Sequence, residues 1–409
     1  MTARTSNNEI YLDYNSTAPV HPEVLDAVMP VFSETYGNPS TLHQIGQRAR
    51  TAVEQARRQT AALLSCEPNE IVFTSGGTES NNLALLGACY ANGVGNKKHI
   101  ITTTIEHPSI HQTCRWLEKH GYRITFVSVD HRGVVDVDQL AAALDSETVL
   151  VSVLHANNET GTIQPIRQIA EFTGKHGVLF HVDGVQAAGK IPVDVRSLGC
   201  DLYSISAHKF GGLKGAGALY IRQGVDIERI CHGGNQEAGR RAGTLNVPGI
   251  VALGKAAEVA LRDLETNRTA WRACRSIFDD LPGKLPLTRL NGHRSERLPN
   301  TTNLCFLYAD GTSTVLALSV IGICAGTGSA CTSDRQEPSA VLKAMGLSDF
   351  AAFCSIRISF GPSLSADQAE YACSKIAQTV ERIRTIIAPE DIGVCDESCP
   401  CFFEPRQTT

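Results

Sequence analysis

The chain is 409 residues long, with 42 % hydrophobic and 19 % charged residues and a formal net charge of −5. This is the balance of a globular protein of one large and one small domain, or of two or three domains. The slight acidity gives no electrostatic footprint for direct nucleic-acid or membrane-surface binding.

No apolar run reaches the length of a membrane span, and the opening "MTARTSNNEIYLDYN" lacks the apolar core of a signal peptide. The expectation is a cytoplasmic protein, in which most of the 14 cysteines are free thiols. Cys89, Cys114 and Cys373 fall on helical periodicity and read as small core residues.

From about residue 60 to 225, short β-branched runs alternate with amphipathic helices. "EIVFTS" precedes the helical "TESNNLALLGACYAN", and "KHIITTTI" precedes "PSIHQTCRWLEKHG". "TVLVSVLHA", "VLFHVDG", "LYSISA" and "GALYIR" are further strands. The pattern predicts an α/β fold with a mostly parallel sheet flanked by helices. Residues 247–266 read as one long helix between two domains. "TTNLCFLY" and "CSIRISF" read as strands of a smaller C-terminal α/β domain. The expected division is an N-terminal segment 1–15 packing on the small domain, a large domain 16–261, a small domain 262–385 and a cysteine-containing tail 386–409.

In such sheets ligands sit beyond the carboxyl ends of strands, and the polar residues of interest fall there. Gly76, Gly77 and Thr78 stand between a strand and a helix start, where free N–H groups favour a phosphate; a plain turn with a capping threonine is the alternative. His107 precedes Pro108 at a helix start and can stack on a flat ring, shuttle a proton or simply cap. Asn157, Asn158 and Glu159 close another strand end, where the amides either shape a turn or bind a ligand. Asp183 follows an apolar strand with Gln186 three residues on. A carboxylate there needs a partner, either a protonated heteroaromatic nitrogen or a basic side chain. Lys209, flanked by Ser206 and His208 in "SISAHKFGG", is placed to form a Schiff base.

An anion site, a ring neighbour, a carboxylate for a pyridinium nitrogen and a lysine at the strand ends of one sheet together match the needs of pyridoxal 5′-phosphate (PLP). The phosphate would lie at Gly77 and Thr78 near Ser206 and His208, His107 on the ring face, Asp183 at the ring nitrogen, Gln186 at the ring oxygen and Lys209 at the aldehyde carbon.

The stretch "AGTGSACTSD" sets Cys331 among small residues that contribute little to a core and permit unusual backbone angles. It reads as a loop with a thiol near its middle, either structural or reactive. The tail "GVCDESCPCFF" places Cys395, Cys399 and Cys401 in a C-x3-C-x-C cluster. Its readings are an unstructured tail, a sulfur relay, or metal or iron–sulfur ligation with a fourth ligand from elsewhere.

"YGNPSTLH", "SGGTESNN", "EHPS", "NNETG", "DGVQAAGK", "SAHKFGG", "RRAGTLNV" and "GSACTS" occur in the order and spacing of a known family. From "YLDYNSTAPV" to about residue 385 the chain resembles the NifS/IscS-type cysteine desulfurases, PLP enzymes of fold-type I. The resemblance implies a homodimer with its active site at the subunit interface, and conversion of L-cysteine to L-alanine with sulfur left as a persulfide. It implies that Lys209 is the PLP lysine, that Cys331 is the persulfide-forming nucleophile on a long mobile-type loop, and that Thr244 reaches the phosphate of the partner subunit. Arg357 holds the substrate carboxylate on this reading, with Asn158 beside it, and His107 moves protons. Arg335 is the near neighbour in sequence that could activate the Cys331 thiol. The sulfur goes to an acceptor protein, an iron–sulfur scaffold or a tRNA-thiolation relay. The C-x3-C-x-C tail departs from the family pattern. Other readings are a selenocysteine lyase, an aminotransferase or other PLP enzyme, and a non-catalytic sulfur carrier or iron–sulfur scaffold. An aminotransferase has no use for Cys331, and intact Lys209, Asp183 and His107 speak against a retired fold.

Overall fold

The computed structural model describes residues 9–91, 95, 97–328, 337–387 and 402–403; Cys331, Arg335, Cys395, Cys399 and Cys401 lie outside them. The strands are β1 (Ile10–Tyr11), β2 (Ile71–Thr74), β3 (His99–Thr103), β4 (Arg123–Val127), β5 (Thr148–Leu154), β6 (Leu179–Asp183), β7 (Leu202–Ser206), β8 (Gly217–Ile221), β9 (Thr288–Asn291), β10 (Thr301–Phe306), β11 (Ile323–Cys324) and β12 (Ser355–Ser359).

Seven of them form one sheet in the order β2-β8-β7-β6-β5-β3-β4. β8 runs antiparallel to both neighbours, and the remaining pairs are parallel. Every residue of β5, "TVLVSVL", is buried, as expected of a parallel strand covered by helices on both faces. The helices Gln44–Leu64 and Val247–Arg262 cover one face, and Gly77–Tyr90 and Pro108–Lys119 the other. Cys89 and Cys114 are buried there, and Cys373 is buried in the C-terminal helix Ala366–Ile387. All ten described cysteines are free.

The long helix expected over 247–266 is instead two. Asp263 leaves the helical backbone region at φ −97°, ψ 3°, and its N–H closes onto Val259 and Leu261. A new helix, Leu264–Asp279, then buries Trp271, Cys274 and Phe278. The change of direction carries the chain to a second core built on the antiparallel sheet β12-β10-β9. Ile10 and Leu12 belong to that core. β1 pairs with β11, and Asp13 bridges to Ser359. The segment Asp13–Ser16 is therefore laid between the two sheets.

Beyond the C-terminal helix, Phe402 is fully buried against a cluster that includes Leu342 and Leu347. The Ser348 N–H donates to its carbonyl at 3.2 Å. Among the described residues no helix is long and apolar enough to cross a membrane.

Candidate active site

A cavity of about 380 Å³ opens where the carboxyl ends of β2, β3, β5, β6 and β7 meet the small sheet, within the ~300–1,000 Å³ typical of small-molecule sites. Gly77, Thr78, His107, Asn158, Asp183, Gln186, Ser206, His208, Lys209 and Arg357 all line it. A larger hollow of about 570 Å³ lies elsewhere, but its lining has neither lysine nor histidine. Its deepest charges, Arg57 and Glu237, are spent on each other at 2.7 Å. The smaller cavity is therefore the one equipped for chemistry.

One end is made by chain geometry. Gly76 adopts φ 151°, ψ −177°, a region open in practice to glycine alone. At Gly77 a Cβ would stand 2.7 Å from Val185 Cγ2. The helix Gly77–Tyr90 thus starts at the cavity with first-turn N–H groups that have no intrahelical acceptor. His208 sits opposite, its Nδ1 3.1 Å from Thr17 Oγ1. Burial pushes its pKa down to about 4, helped by the charges of Lys209, Lys214 and Lys190, so the ring is neutral at pH 7.

The far end is a chain of bonds. Asp183 accepts from Val185 N–H at 3.0 Å and from Asn81 Nδ2 at 2.7 Å. Asn81 also donates to Ser109 Oγ at 2.8 Å. Ser109 Oγ lies 2.8 Å from His107 Nδ1, which also accepts from the Ser109 N–H at 3.1 Å. His107 is thereby the N-cap of its helix and is fixed relative to Asp183. With Nδ1 accepting that N–H, Nε2 is the nitrogen left for a ligand. Burial lowers the His107 pKa, Asp183 opposes this and Lys209 adds to it. The Asn81 Oδ1 is buried with no partner, so the floor of the cavity holds a polar atom that a bound group could satisfy.

Between the ends, Lys209 Nζ donates to the carbonyl oxygens of Asn15 and Ser16 at 2.7 and 2.9 Å. Gln186 Nε2 donates to the same Asn15 oxygen at 3.0 Å. Lys190, fully buried, donates to Gln186 Oε1 at 2.7 Å and Asn15 Oδ1 at 2.8 Å, and burial drives its pKa well down. On the rim, Arg357 pairs with Asp13 at 2.6 Å and donates to Ser16 Oγ at 2.7 Å and Asn158 O at 3.2 Å. Its Nε is buried without a partner.

These residues fit PLP. The helix start suits its phosphate, the buried carboxylate its ring nitrogen, and the lysine its aldehyde carbon. Thr244 is exposed and does not line this chain's cavity. Asn15, Ser16, Asn81 and Lys190 are site residues that sequence reading left without roles. Asn15 and Ser16 stand in "YLDYNSTAPV", Asn81 in "SGGTESNN" and Lys190 in "DGVQAAGK", so the motifs were visible and the contacts were not.

Comparison with known proteins gives the family. The aminotransferase class-V family model matches residues 10–371. A cysteine desulfurase IscS of Methanosarcina thermophila is 45 % identical over 383 residues, covering 93 % of this chain and 94 % of that protein. A solved NifS-like protein superposes with TM-score 0.86 at 37 % identity, covering 91 % of this chain and 100 % of the other. The structure described as SspA in complex with cysteine gives TM-score 0.76 at 34 % identity, covering 86 % and 99 %. This chain belongs to the aminotransferase class-V family, PLP-dependent enzymes of fold-type I, and within it to the cysteine desulfurases.

Proposed function

We propose that this enzyme removes sulfur from L-cysteine, giving L-alanine and a persulfide on Cys331. The observation that carries the reading is the convergence of Lys209, Asp183, His107 and Arg357 on one cavity whose edge includes Gly328, three residues before Cys331. PLP, when bound, supplies an electron sink for the pair released from the substrate Cα.

The chain's own residues do the rest. Arg357, held by Asp13 and Ser16, presents its guanidinium to the substrate carboxylate, with Asn158 beside it. Lys209 Nζ takes the Cα proton, and Asp183, held by Asn81 and the Val185 N–H, would pair with the ring nitrogen. Gln186, held by Lys190, would hydrogen-bond the ring oxygen. Neutral His107 exchanges a proton with the substrate thiol through Nε2. The Cys331 thiolate attacks the substrate sulfur: an S–S bond forms, the C–S bond breaks, and its electron pair returns to the carbon skeleton, which is protonated to alanine. A free thiol of pKa roughly 8.5 is only a few per cent ionised at neutral pH, so the attack gains from any cation near it.

Thr244, exposed on the segment before the helix Val247–Arg262, is the residue offered to a second copy's phosphate site in a homodimer. The sulfur then passes to an acceptor protein in the cytoplasm, for iron–sulfur assembly or thiolation. Cys395, Cys399 and Cys401, which precede the seated Phe402, are the residues through which sulfur could leave.

Mass spectrometry after a single turnover tests the reading. Wild type gains one sulfur on the Cys331 peptide. Cys331→Ser binds L-cysteine and gains none anywhere. Persulfide on a tail cysteine in that variant would show direct attack by the tail and remove Cys331 from its role.

A further inference from the structure

The two ends of the chain segment that carries Cys331 meet one carboxylate. After it, Ser339 Oγ donates to Glu159 Oε2 at 2.6 Å. The same hydroxyl accepts the Leu342 N–H at 3.1 Å and caps the helix Ala340–Ala344. Before it, Gly328 packs on the same oxygen, and a Cβ there would stand 2.9 Å from Glu159 Oε2. Gly328 also has φ +94°, so close approach and backbone conformation both require glycine. Its carbonyl accepts from Arg357 at 3.4 Å.

Glu159 itself is firmly placed. Asn157 Oδ1 accepts the N–H groups of Glu159 and Thr160 at 2.9 and 3.0 Å. Asn303 Nδ2 lies 3.4 Å from the Glu159 carbonyl. The side chain is buried, which pushes its pKa up while the Ser339 hydroxyl and the Arg357 charge pull it down. Yet it does not line the cavity. A buried carboxyl costs stability, and among the described residues this one is bonded to Ser339 Oγ.

We infer that Glu159 is a positioning residue that clamps both stems of the Cys331 segment at the cavity edge, an inference that rests on Cys331 being the sulfur acceptor. The clamp fixes where the segment leaves and rejoins the fold. Cys331, three residues past Gly328, then has a chain reach of ~10 Å from a residue that lines the cavity. Such a tether sets the effective concentration of the thiol at the substrate sulfur.

Three variants of the holoenzyme test it. Glu159→Ala removes the carboxyl that accepts from Ser339 and packs on Gly328. Ser339→Asp keeps an acceptor for the Leu342 N–H but sets a second carboxylate against Glu159. Glu159→Gln keeps an oxygen for the Ser339 hydroxyl. The readouts are the iodoacetamide alkylation rate of Cys331 by peptide mass spectrometry, and kcat and KM for alanine formation.

Glu159→Ala and Ser339→Asp should change the alkylation rate severalfold and lower kcat about tenfold, with KM and the visible spectrum of bound PLP unchanged. Glu159→Gln should recover most of kcat. If Glu159→Ala does not fold, Ser339→Asp decides. An unchanged alkylation rate in the folded variant overturns the clamp. A changed alkylation rate with unchanged kcat, where Cys331→Ser is inactive, overturns its catalytic role. An active Cys331→Ser enzyme would sink the sulfur-acceptor reading instead, while alkylation still reports on the clamp.

Discussion

The floor and the rim of the cavity are built in different ways. The floor, from His107 through Ser109 and Asn81 to Asp183, comes from strand ends of one mixed sheet, and its contacts span about a hundred residues or fewer. The rim joins Asp13 and Ser16 to Arg357 across 344 and 341 positions, and Glu159 to Ser339 across 180. The floor is a by-product of the sheet and is rigid with it. The rim exists only once the two cores have docked with the N-terminal segment between them. The floor is thus set by one sheet, and the rim by the docking of two.

The sharpest break in the floor is Asp183→Asn. An amide cannot hold a ring nitrogen protonated, and alanine production should fall by ~10²-fold or more. Asn81 can turn its orphaned Oδ1 toward the new amide, so the fold should survive, as circular dichroism would show. Near-normal turnover would remove Asp183 from the site.

On the rim, Arg357→Lys keeps the charge but loses the fork that reaches Asp13, Ser16 and Asn158 together. The expected result is a KM for L-cysteine raised about tenfold with a smaller loss in kcat. A fall in kcat at unchanged KM would show that the rim acts on chemistry rather than on binding.

A separate effect, on stability rather than turnover, concerns Glu106, next to His107. Its Oε1 accepts from Thr103 Oγ1 at 2.7 Å and from the Leu154 N–H at 3.0 Å, while Oε2 is buried without a partner. Burial, with a contribution from Asp183, pushes its pKa up to about 8. The folded form therefore holds a proton that the unfolded chain has released from about pH 4.5 upward. Stability from this group is full below that value and is lost as pH rises to about 8, by at most ~1.4 kcal/mol per pH unit. Glu106→Gln should match wild type in melting temperature near pH 5 and exceed it increasingly toward pH 8. A gap that does not grow with pH would refute the raised pKa.

Much of the floor was legible in the sequence, because each residue follows a β-branched run that announces a strand end. Gly77, Thr78, His107, Asp183, Ser206 and Lys209 are all of this kind. The break at Asp263 was not, since the apolar periodicity of "VPGIVALGKAAEVALRDLET" runs through it and only the geometry of docking two cores selects the turn. Nor was the rim. Nothing local in "YLDYNSTAPV" says that Asn15 will accept from Lys190, or that its carbonyl will hold Lys209. Such contacts depend on the parallel pairing of β1 with β11, two strands of two residues each, too short to carry a periodic signal. Glu159 was visible as a strand-end carboxylate, but its partner Ser339 lies 180 positions away.

The central claim is that this cavity holds PLP through Lys209, and the direct measurement is borohydride reduction of the holoenzyme followed by peptide mapping. Two other lysines compete. Lys190 is buried nearby with a strongly lowered pKa, and Lys214 lies in the same glycine-rich turn. The account predicts one pyridoxyl adduct, on Lys209, and its loss in Lys209→Ala together with at least ~10²–10⁴-fold of turnover. An adduct on Lys190 or Lys214 in the wild-type protein would contradict it.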